Sequence, residues 1–420
     1  MKRLAVYLLC VSVCMGMLLG VAPVASAEAA EPETEATVVE QLQLTEGGAA
    51  GTPVHVKGET HWNTLLGEAP KQTVGEQNRW LGAASEKGYI FYDNTPTEDV
   101  LAHICEQMQL RKTTFSVTYQ TKQTYDYNAF AEGLFLSALT HTGDGKGGDY
   151  LTWCMRDWSC ELQGYERQYI TYTYTVHYLT TAAQEKQMDT AVADLLKSLN
   201  LGGCTDYQKI CKIYDWICDN ITYDDTGFQQ GIENSPLSFT AYKGLTQGTC
   251  VCQGYSTLFY RLALECGIDA RVIAGNPKAP HGWNIVKLGG YYYNLDSTWD
   301  AEYAQVNQPY RYFLRSPANF NGDHTRYDEY NSAEFHSYYP MSPTDYTPGA
   351  PVAGDMDGDE RLSTDDAVYL LLNVMFGSGD YAISASVRRD TDGDGKVTTD
   401  DAVYLLLHVM FGPKDYPLAA

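Results

Sequence analysis

Residues 247–266 read QGTCVCQGYSTLFYRLALEC, and within this stretch the pattern changes from turn-like to helical. Glycines interrupt the first half. In the second half apolar residues recur at helical spacing, at Leu258, Phe259, Leu262, Ala263 and Cys266. Cys252 is therefore predicted to lie at or just before a helix N-terminus. The N–H groups and the dipole at such an end lower the pKa of a thiol, and the thiolate is the nucleophilic form.

Two other interpretations of these cysteines stay open. Cys250 could be the nucleophile instead, although two residues earlier it would fall off the helix start. A redox pair of Cys250 and Cys252 would be strained. If Cys252 attacks a carbonyl group, its own backbone N–H is the expected oxyanion donor, with a side chain upstream, Gln247 or Tyr242, as a second donor.

A β-hairpin is predicted just downstream. The segment His281-Gly282-Trp283-Asn284 leads into an apolar run, Gly289-Gly290 is a favourable two-residue turn, and residues 291–295 return. In the simplest register Leu288 faces Tyr291, so that His281 and Asp296 lie on one face, one diagonal step apart. Diagonal neighbours are separated by ~7–8 Å between backbones, which allows a hydrogen bond between imidazole and carboxylate. Such a carboxylate would orient the imidazole beside a thiolate.

The order Cys, then His on one strand, then Asp on the next resembles the transglutaminase-like superfamily of papain-like cysteine enzymes. The matching segments span about residues 204–305 and are Asp219-Asn220-Ile221-Thr222-Tyr223-Asp224, Val251-Cys252-Gln253-Gly254-Tyr255, His281-Gly282-Trp283-Asn284 and Asn294-Leu295-Asp296-Ser297-Thr298-Trp299-Asp300. Gly282 stands where the family more usually has Ala. The resemblance implies that Cys252 is the nucleophile, His281 the general base and acid, and Asp296 the orienting residue. Asp300 and Trp299 are interpreted as structural.

The C-terminal part of the chain is duplicated. The segment from Asp355 to Gly377 recurs from Asp390 to Gly412, 35 residues later. Each copy opens with carboxylates at positions 1, 3, 5 and 12 of a short loop: Asp355, Asp357, Asp359 and Asp366, then Asp390, Asp392, Asp394 and Asp401. Calcium prefers six to eight oxygen ligands, and this spacing can wrap one loop around the ion. Two calcium sites are therefore predicted.

The remaining ligands follow from the same loop numbering. Position 7, Arg361 or Lys396, would contribute a backbone carbonyl, and position 9, Ser363 or Thr398, would contribute through water. The first loop is expected to bind more weakly, because Glu360 stands at the sharp turn where the second loop has Gly395.

One calcium loop plus one helix, twice, resembles the type I dockerin family over residues 354–418. The resemblance implies binding to a cohesin-type module on a scaffold or surface protein, in either of two orientations. Its partner-reading positions would lie near Thr364-Asp365 and Thr399-Asp400.

The N-terminus is typical of an export signal: Lys2 and Arg3, then an apolar run, then Ala25-Ser26-Ala27. A retained membrane anchor is the alternative. Removing both basic residues leaves 27 basic against 53 acidic residues, a net charge of −26, which disfavours nucleic acid and anionic membranes as partners. We expect a secreted or surface-associated protein with no membrane span once the signal is removed. Nine cysteines would remain, an odd number that leaves at least one free thiol.

These patterns predict an α+β protein. Its papain-like, transglutaminase-type core has a Cys-bearing helix packed on an antiparallel sheet, with an N-terminal α/β companion region and a small all-α calcium-loop module. The expected divisions are a signal peptide (1–27), an acidic flexible leader (28–73), the companion region (74–200), the catalytic domain (201–339), a Pro-rich linker (340–353) and the dockerin-like module (354–418).

The expected function is thiol acyl transfer on a protein or peptide substrate without a catalytic cofactor, and the sequence does not choose between hydrolysis and cross-linking. A non-catalytic surface-assembly or ligand-binding protein on the same fold is the alternative. Membership of a polysaccharide-degrading complex rests only on association with dockerins, because no motif isolates a pair of glycosidase carboxylates.

Overall fold

A computed structural model describes residues 53–57, 61–62, 88–276, 279–306, 308–349, 352–358, 361–384 and 387–419. The predicted signal peptide and most of the predicted leader lie outside these residues. Within the described ranges, no helix combines the length and the apolar character that crossing a bilayer requires.

The N-terminal region is built around a mixed sheet. The elements in chain order are β1 (Pro53–Lys57), β2 (His61–Trp62), β3 (Tyr89–Tyr92), α1 (Thr97–Gln109), β4 (Thr114–Gln120), α2 (Tyr127–Ala138), α3 (Gly148–Trp153), β5 (Met155–Tyr165) and β6 (Tyr169–Tyr178). The strands of the sheet run in the order β1-β5-β6-β4-β3, with β2 also paired to β5. Among the described pairs of this sheet, only β3 with β4 is parallel.

Strand β6 shows why the sheet has one packed face. Ile170, Tyr172, Tyr174 and Val176 alternate with threonines, and these four side chains are buried in a core that also contains Phe135. The threonines opposite them stay partly exposed, as the period of two predicts.

The leader extends less far than the sequence predicted. Residues 53–57 pair with β5, from Pro53 opposite Tyr165 to Lys57 opposite Glu161. A five-residue edge strand carries little hydrophobic signal of its own, because its partner supplies most of the ladder.

The central domain follows, with a second hydrophobic core. Its elements are α4 (Ala182–Ser198), α5 (Asp206–Asn220), β7 (Thr222–Tyr223), α6 (Asp225–Asn234), a 3₁₀ turn (Pro236–Phe239), α7 (Ala241–Gln247), β8 (Thr249–Cys250), α8 (Cys252–Glu265), β9 (Ala270–Gly275), β10 (His281–Leu288), β11 (Tyr291–Leu295), α9 (Ser297–Gln305), 3₁₀ turns at Pro317–Asn319 and Asp328–Tyr330, and α10 (Ala333–Tyr338).

Helix α8 runs through the middle of this domain, and its residues from Cys252 to Leu264 are all buried. Its outer neighbours include α4, whose Met188, Val192 and Leu195 belong to the same core. The expected boundary at residue 200 therefore lies too late, since α4 packs with the central domain. Both α4 and α5 begin with capping boxes, at Thr181 and Thr205.

The predicted hairpin is present. Strands β10 and β11 pair with Leu288 opposite Tyr291 and Asn284 opposite Leu295, so the expected register is confirmed. Gly289 and Gly290 form its turn with positive φ angles of 58° and 84°, which glycine adopts without strain. Strand β9 completes a three-stranded antiparallel sheet.

The segment predicted as a linker is packed against this sheet at its start. Tyr292 N–H donates to the Pro340 carbonyl at 2.8 Å, and Ser342 N–H donates to the Tyr292 carbonyl at 2.9 Å. Asp345 accepts from Arg315 at 2.9 Å, and Tyr346 stacks on Tyr207. Prolines prevent a regular ladder here but leave carbonyl and aromatic groups free to pack.

The C-terminal module contains two helices, α11 (Thr364–Phe376) and α12 (Thr399–Phe411), which pack around Leu370 and Leu405. Each helix begins with a capping box, made by Ser363 with Asp366 and by Thr398 with Asp401. The module touches the central domain through an ion pair between Arg361 and Asp206 at 2.5 Å.

Candidate active site and calcium loops

Cys252 is the first residue of α8, where the sequence predicted it. Val251 before it is extended, with φ −93° and ψ 176°, and makes no side-chain cap. No side chain therefore caps the first-turn N–H groups of the helix, and the helix dipole favours negative charge at this end. The residue is only 2% exposed, so the thiol is almost fully enclosed in this structure.

His281 begins β10 and faces Cys252. Its Nε2 lies 2.7 Å from Asp296 Oδ2, and its ring stacks on Trp299 at 5.0 Å between centroids. Burial opposes protonation of His281, but the Asp296 charge and hydrogen bonds to Asp296 and Cys252 raise the pKa of the imidazole well above its ordinary value. The ring therefore favours its cation between a carboxylate and a thiol.

Asp296 precedes α9 and is fully buried. Its Oδ1 caps the helix, accepting from Thr298 N–H at 2.9 Å and Trp299 N–H at 3.2 Å, while its Oδ2 faces the imidazole. Burial alone would favour the neutral acid. The positive charge of His281 and hydrogen bonds from His281 and His324 outweigh it and hold the pKa of Asp296 below its ordinary value.

Cys250 has a different environment. It lies in β8 with no exposed surface, and its sulphur is so tightly enclosed that a Cβ added at Gly254 would approach it to 2.6 Å. Burial, then the neighbouring Cys252, raises the pKa of the Cys250 thiol far above its ordinary value. Cys250 is therefore a core residue here, and all nine cysteines among the described residues are unpaired.

The proposed upstream oxyanion donors do not reach the site. The Tyr242 hydroxyl donates to Gln187 Oε1 at 2.6 Å, and Gln247 is exposed at the end of α7. Tyr223 lies beside Cys252 instead: burial first, then the nearby thiol, raises the pKa of its hydroxyl. Tyr223 stood in the quoted lead-in motif, but the short parallel pairing of β7 with β8 that brings it to Cys252 has no signal in the sequence.

Sequence reasoning also missed His324. Its Nε2 lies 3.0 Å from Asp296 Oδ2, the same oxygen that faces His281. Nothing in the local sequence around His324 marks it, because it comes from an irregular segment. Asp300 behaves as expected for a structural residue, accepting from the Tyr214 hydroxyl at 2.7 Å and from two backbone N–H groups.

The first of the two predicted calcium loops is partly described. Asp355, Asp357 and Asp366 each offer a carboxylate oxygen within 4.8 Å of the others, whereas Asp359 lies outside the described residues. Asp366 is buried and accepts from the N–H groups of Met356 and Ser363, both at 2.7 Å. Burial raises its pKa to about 6.

The second loop brings together Asp390, Asp392 and Asp394, again within 4.8 Å. Asp401 is buried and accepts from the N–H groups of Thr391 and Thr398, both at 2.7 Å. The side chains at positions 7 and 9 have other roles: Lys396 is exposed, and the Thr398 hydroxyl caps α12 by accepting from Asp400 N–H. In the first loop the Arg361 side chain points to Asp206, and Ser363 caps α11.

The sequence model of the transglutaminase-like superfamily matches residues 193–297. The central domain is transglutaminase-like. The match includes Cys252, His281 and Asp296, and it begins inside α4, in agreement with the packing of that helix.

Two curated relatives align with part of the chain. Kyphoscoliosis peptidase of Homo sapiens is 28% identical over 190 residues, covering 40% of this chain and 27% of the relative. The same protein of Mus musculus is 27% identical over 166 residues, covering 35% and 25%. The chain thus spans about a quarter of the length of these relatives.

Two solved structures show weak similarity. A transglutaminase crystal structure aligns with a TM-score of 0.24 and 15% identity, covering 50% of this chain and 59% of that one. A candidate cysteine protease from Cytophaga hutchinsonii aligns with a TM-score of 0.21 and 20% identity, covering 33% and 56%. Neither score is high enough to bear on the fold.

Proposed function

We propose that this protein is an exported thiol acyl-transfer enzyme that acts on protein or peptide amides and is held to a scaffold or surface by its C-terminal module. The observation that carries the catalytic part is the contact of His281 with both Asp296 and Cys252 at the N-terminus of a buried helix. A cysteine with only a packing role in the core has no reason to lie beside a charged imidazole.

The reaction follows from these positions. The Cys252 thiolate attacks the carbonyl carbon of an amide, and the negative charge that develops on the oxygen is stabilised by backbone N–H at the start of α8. As the C–N bond breaks, the His281 imidazolium gives its proton to the departing amine. A thioester remains on Cys252. His281 then accepts a proton from water or from an amine while the oxygen or nitrogen of that molecule bonds to the thioester carbon. The C–S bond breaks, Cys252 leaves as a thiolate beside the His281 imidazolium, and the product is an acid after hydrolysis or a new amide after cross-linking.

The catalytic proposal is tested by the rate of Cys252 alkylation against pH, measured by mass spectrometry in wild type and His281→Ala. A free thiol ionises near ~8.5, whereas a thiol paired with His at a helix N-terminus ionises at roughly 3.5–7.5. We expect fast labelling at pH 6 in wild type and its loss in His281→Ala. Cys204, which is partly exposed and lies outside the site, is the internal control and should label equally in both proteins.

Either result decides between functions. Labelling of Cys252 that rises only near the ordinary thiol pKa and does not depend on His281 would contradict the enzyme and favour a binding protein on the same fold. If the thiol is activated, peptide substrates assayed with and without an added primary amine distinguish hydrolysis from transamidation.

For the C-terminal module we propose two calcium ions, and its residues fit that ion. The Asp390 Oδ1 atom is buried and has no hydrogen-bond partner among the described residues. Its Oδ2 atom is neutralised by Arg388 at 2.9 Å, a contact that lowers the pKa of Asp390. Hard oxygen ligands of this number suit calcium better than transition metals.

The proposed partner is a cohesin-type module on a scaffold or surface protein. Thr364, Asp365 and Asp400 are accessible at the starts of α11 and α12, where the resemblance places partner-reading residues. A pull-down with purified cohesin modules, with calcium and with EGTA, tests this part separately. Binding that survives EGTA, or its absence across a cohesin panel in calcium, would contradict it.

A further inference from the structure

The Asp296 carboxylate has more donors than a Cys-His-Asp triad requires. Two backbone N–H groups occupy Oδ1, and the rings of His281 and His324 share Oδ2 at 2.7 and 3.0 Å. Four donors leave this buried carboxylate no freedom to rotate. The His324 ring is the unusual donor. The two N–H groups belong to the first turn of α9, which Asp296 caps, and His281 belongs to the proposed triad.

The His324 ring is itself held in place. Its side chain has no exposed surface. It stacks on Phe320 at 3.9 Å between centroids and contacts the rings of Trp299 at 4.4 Å and Trp283 at 5.0 Å. An aromatic cage of this kind fixes the direction of Nε2 without supplying any competing polar group.

The backbone around His324 is pinned as well. Asn276 N–H donates to the Thr325 carbonyl at 2.8 Å, next to a bridge between Gly275 and Arg326. The approach is so close that a Cβ at Gly275 would come within 2.0 Å of that carbonyl oxygen. The end of β9 therefore positions the His324 segment relative to β10 and His281.

The surroundings of the other ring nitrogen, Nδ1, indicate which tautomer of His324 is present. His324 Nδ1 is buried and has no hydrogen-bond partner among the described residues. A cationic ring would bury an unsatisfied N–H, whereas the neutral Nε2–H tautomer leaves only a lone pair without a partner and still donates to Asp296.

We propose that His324 is a positioning residue for the proposed acyl-transfer site: as a neutral Nε2–H donor it locks the Asp296 carboxylate in the orientation that aligns His281 with Cys252. The proposal rests on the function argued above. Removal of the donor leaves Oδ2 held by His281 alone, so the imidazole can shift out of line with Cys252. A misaligned imidazolium stabilises the thiolate less, and the imidazolium–thiolate pair then forms only at higher pH.

Four other ionisable side chains lie near Asp296. Asp300, Tyr214 and Cys218 approach it from α9 and α5, and Tyr223 from β7. Asp300 N–H donates to the Asp296 backbone carbonyl at 3.1 Å, and none of the four is hydrogen bonded to the Asp296 carboxylate in the described structure. A change of His324 therefore acts on Asp296 directly.

A metal ion is the competing explanation. Ligand atoms of His281, Asp296 and His324 lie within 4.8 Å of one another. However, both rings point their Nε2 atoms at Asp296 Oδ2 at hydrogen-bonding distance. These three atoms therefore have partners without an ion. Stoichiometric metal in the purified protein, measured by plasma mass spectrometry, would overturn the hydrogen-bonding role.

The test compares His324→Gln with His324→Leu. Glutamine can place an amide N–H near the position of Nε2, whereas leucine fills the cage without a donor. We expect His324→Leu to lower the Cys252 alkylation rate at pH 6 by about tenfold to a hundredfold, the range of one hydrogen bond to a charged group. The acid limb of its pH profile should move up by about one unit, and His324→Gln should restore most of both.

The outcomes separate this inference from the proposed function. Wild-type activation that is unchanged in His324→Leu overturns the positioning role and leaves the enzyme standing, whereas wild type without an activated thiol overturns both. If His324→Leu and His324→Gln lose activated Cys252 alkylation to the same extent and have equally lowered melting temperatures, His324 contributes only to packing and the positioning role is overturned. Nitrogen-15 NMR of the wild-type rings gives an independent check, since an Nδ1–H or cationic His324 also overturns the proposal.

Discussion

The central site and the C-terminal loops both gather carboxylates, but they assemble them in opposite ways. Each predicted calcium loop draws its carboxylates from twelve consecutive residues, and three of them, Asp357, Asp392 and Asp394, are exposed. The Asp296 network takes its donors from β10, α9 and the segment of His324, and all of it is buried. A loop of this kind depends on its ion to offset the repulsion between its carboxylates, whereas the central network depends on the folding of the whole domain. The two regions should therefore respond differently to mutation, metal removal and pH.

The largest effect is expected from Asp296→Asn. Asparagine still caps α9, but its amide cannot orient two histidine donors as a carboxylate does. Alkylation at pH 6 and acyl transfer should fall by roughly 10²- to 10⁴-fold, as when an orienting carboxylate is lost from a triad. The melting temperature should fall as well, because the buried His281 loses its charged partner. Asp345→Asn makes the same chemical change away from the site and should keep full activity; equal losses in both variants would contradict the network.

Calcium removal should affect only the other region. With EGTA, residues 354–418 of the full chain should lose helix and become sensitive to protease, because repulsion between loop carboxylates is then no longer offset. Cys252 alkylation should not change. Circular dichroism and proteolysis measure the first effect, and unaltered spectra in EGTA would contradict the calcium sites.

The two loops give a matched comparison within that experiment. Asp390→Ala should reduce calcium binding more than Asp355→Ala, since the second loop has Gly395 at its turn with a positive φ of 84°. Equal losses in calorimetric titrations would contradict this order.

The stability of the calcium-free module should change with pH in the direction opposite to the contribution that Asp296 makes to the stability of the central domain. Burial raises the Asp366 pKa from 3.8 to about 6, so protonation stabilises the folded module. This contribution is fully present below pH 3.8 and disappears as the pH rises through about 6. For Asp296, whose pKa is lowered, stability is lost as the pH falls instead. Circular dichroism in EGTA should show more residual helix in the module at pH 5 than at pH 7, and Asp366→Asn should reduce that difference.

The smallest effect is expected where the two regions meet. The Arg361 side chain is 44% exposed in its ion pair with Asp206. Partly exposed pairs contribute about 0–1 kcal/mol, so Arg361→Ala should barely change the free energy of unfolding of the central domain. Its calcium affinity should also stay close to that of wild type, because position 7 binds through a carbonyl. A loss above about 1 kcal/mol in denaturant titrations would mean that the two regions unfold as one unit.

The sequence predicted the elements whose signals are local. The helix start at Cys252 followed from glycines and apolar spacing, and the β10–β11 register followed from a two-residue glycine turn. Each of these features depends on neighbours within a few turns of the chain, so pattern and local energetics agree.

Predictions failed where a segment takes its structure from a distant partner. Residues 53–57 become a strand only because β5 offers an edge, and residues 340–346 are ordered by β11 and Arg315. The same cause explains the missed side chains. Tyr223 reaches Cys252 through the β7–β8 pairing, while the expected donor Tyr242 bonds Gln187.

By itself, the sequence determined the nucleophile's place at a helix start, the register that brings His281 near Asp296, and two acidic loops with calcium-ligand spacing. Only the tertiary structure decided that Cys250 is enclosed in the core, that α4 packs with the central domain, and that His324 shares Asp296 with His281. The reason is physical: turns, caps and periodicity act over a few residues, whereas a buried hydrogen bond depends on where separate segments meet after the core has closed around them.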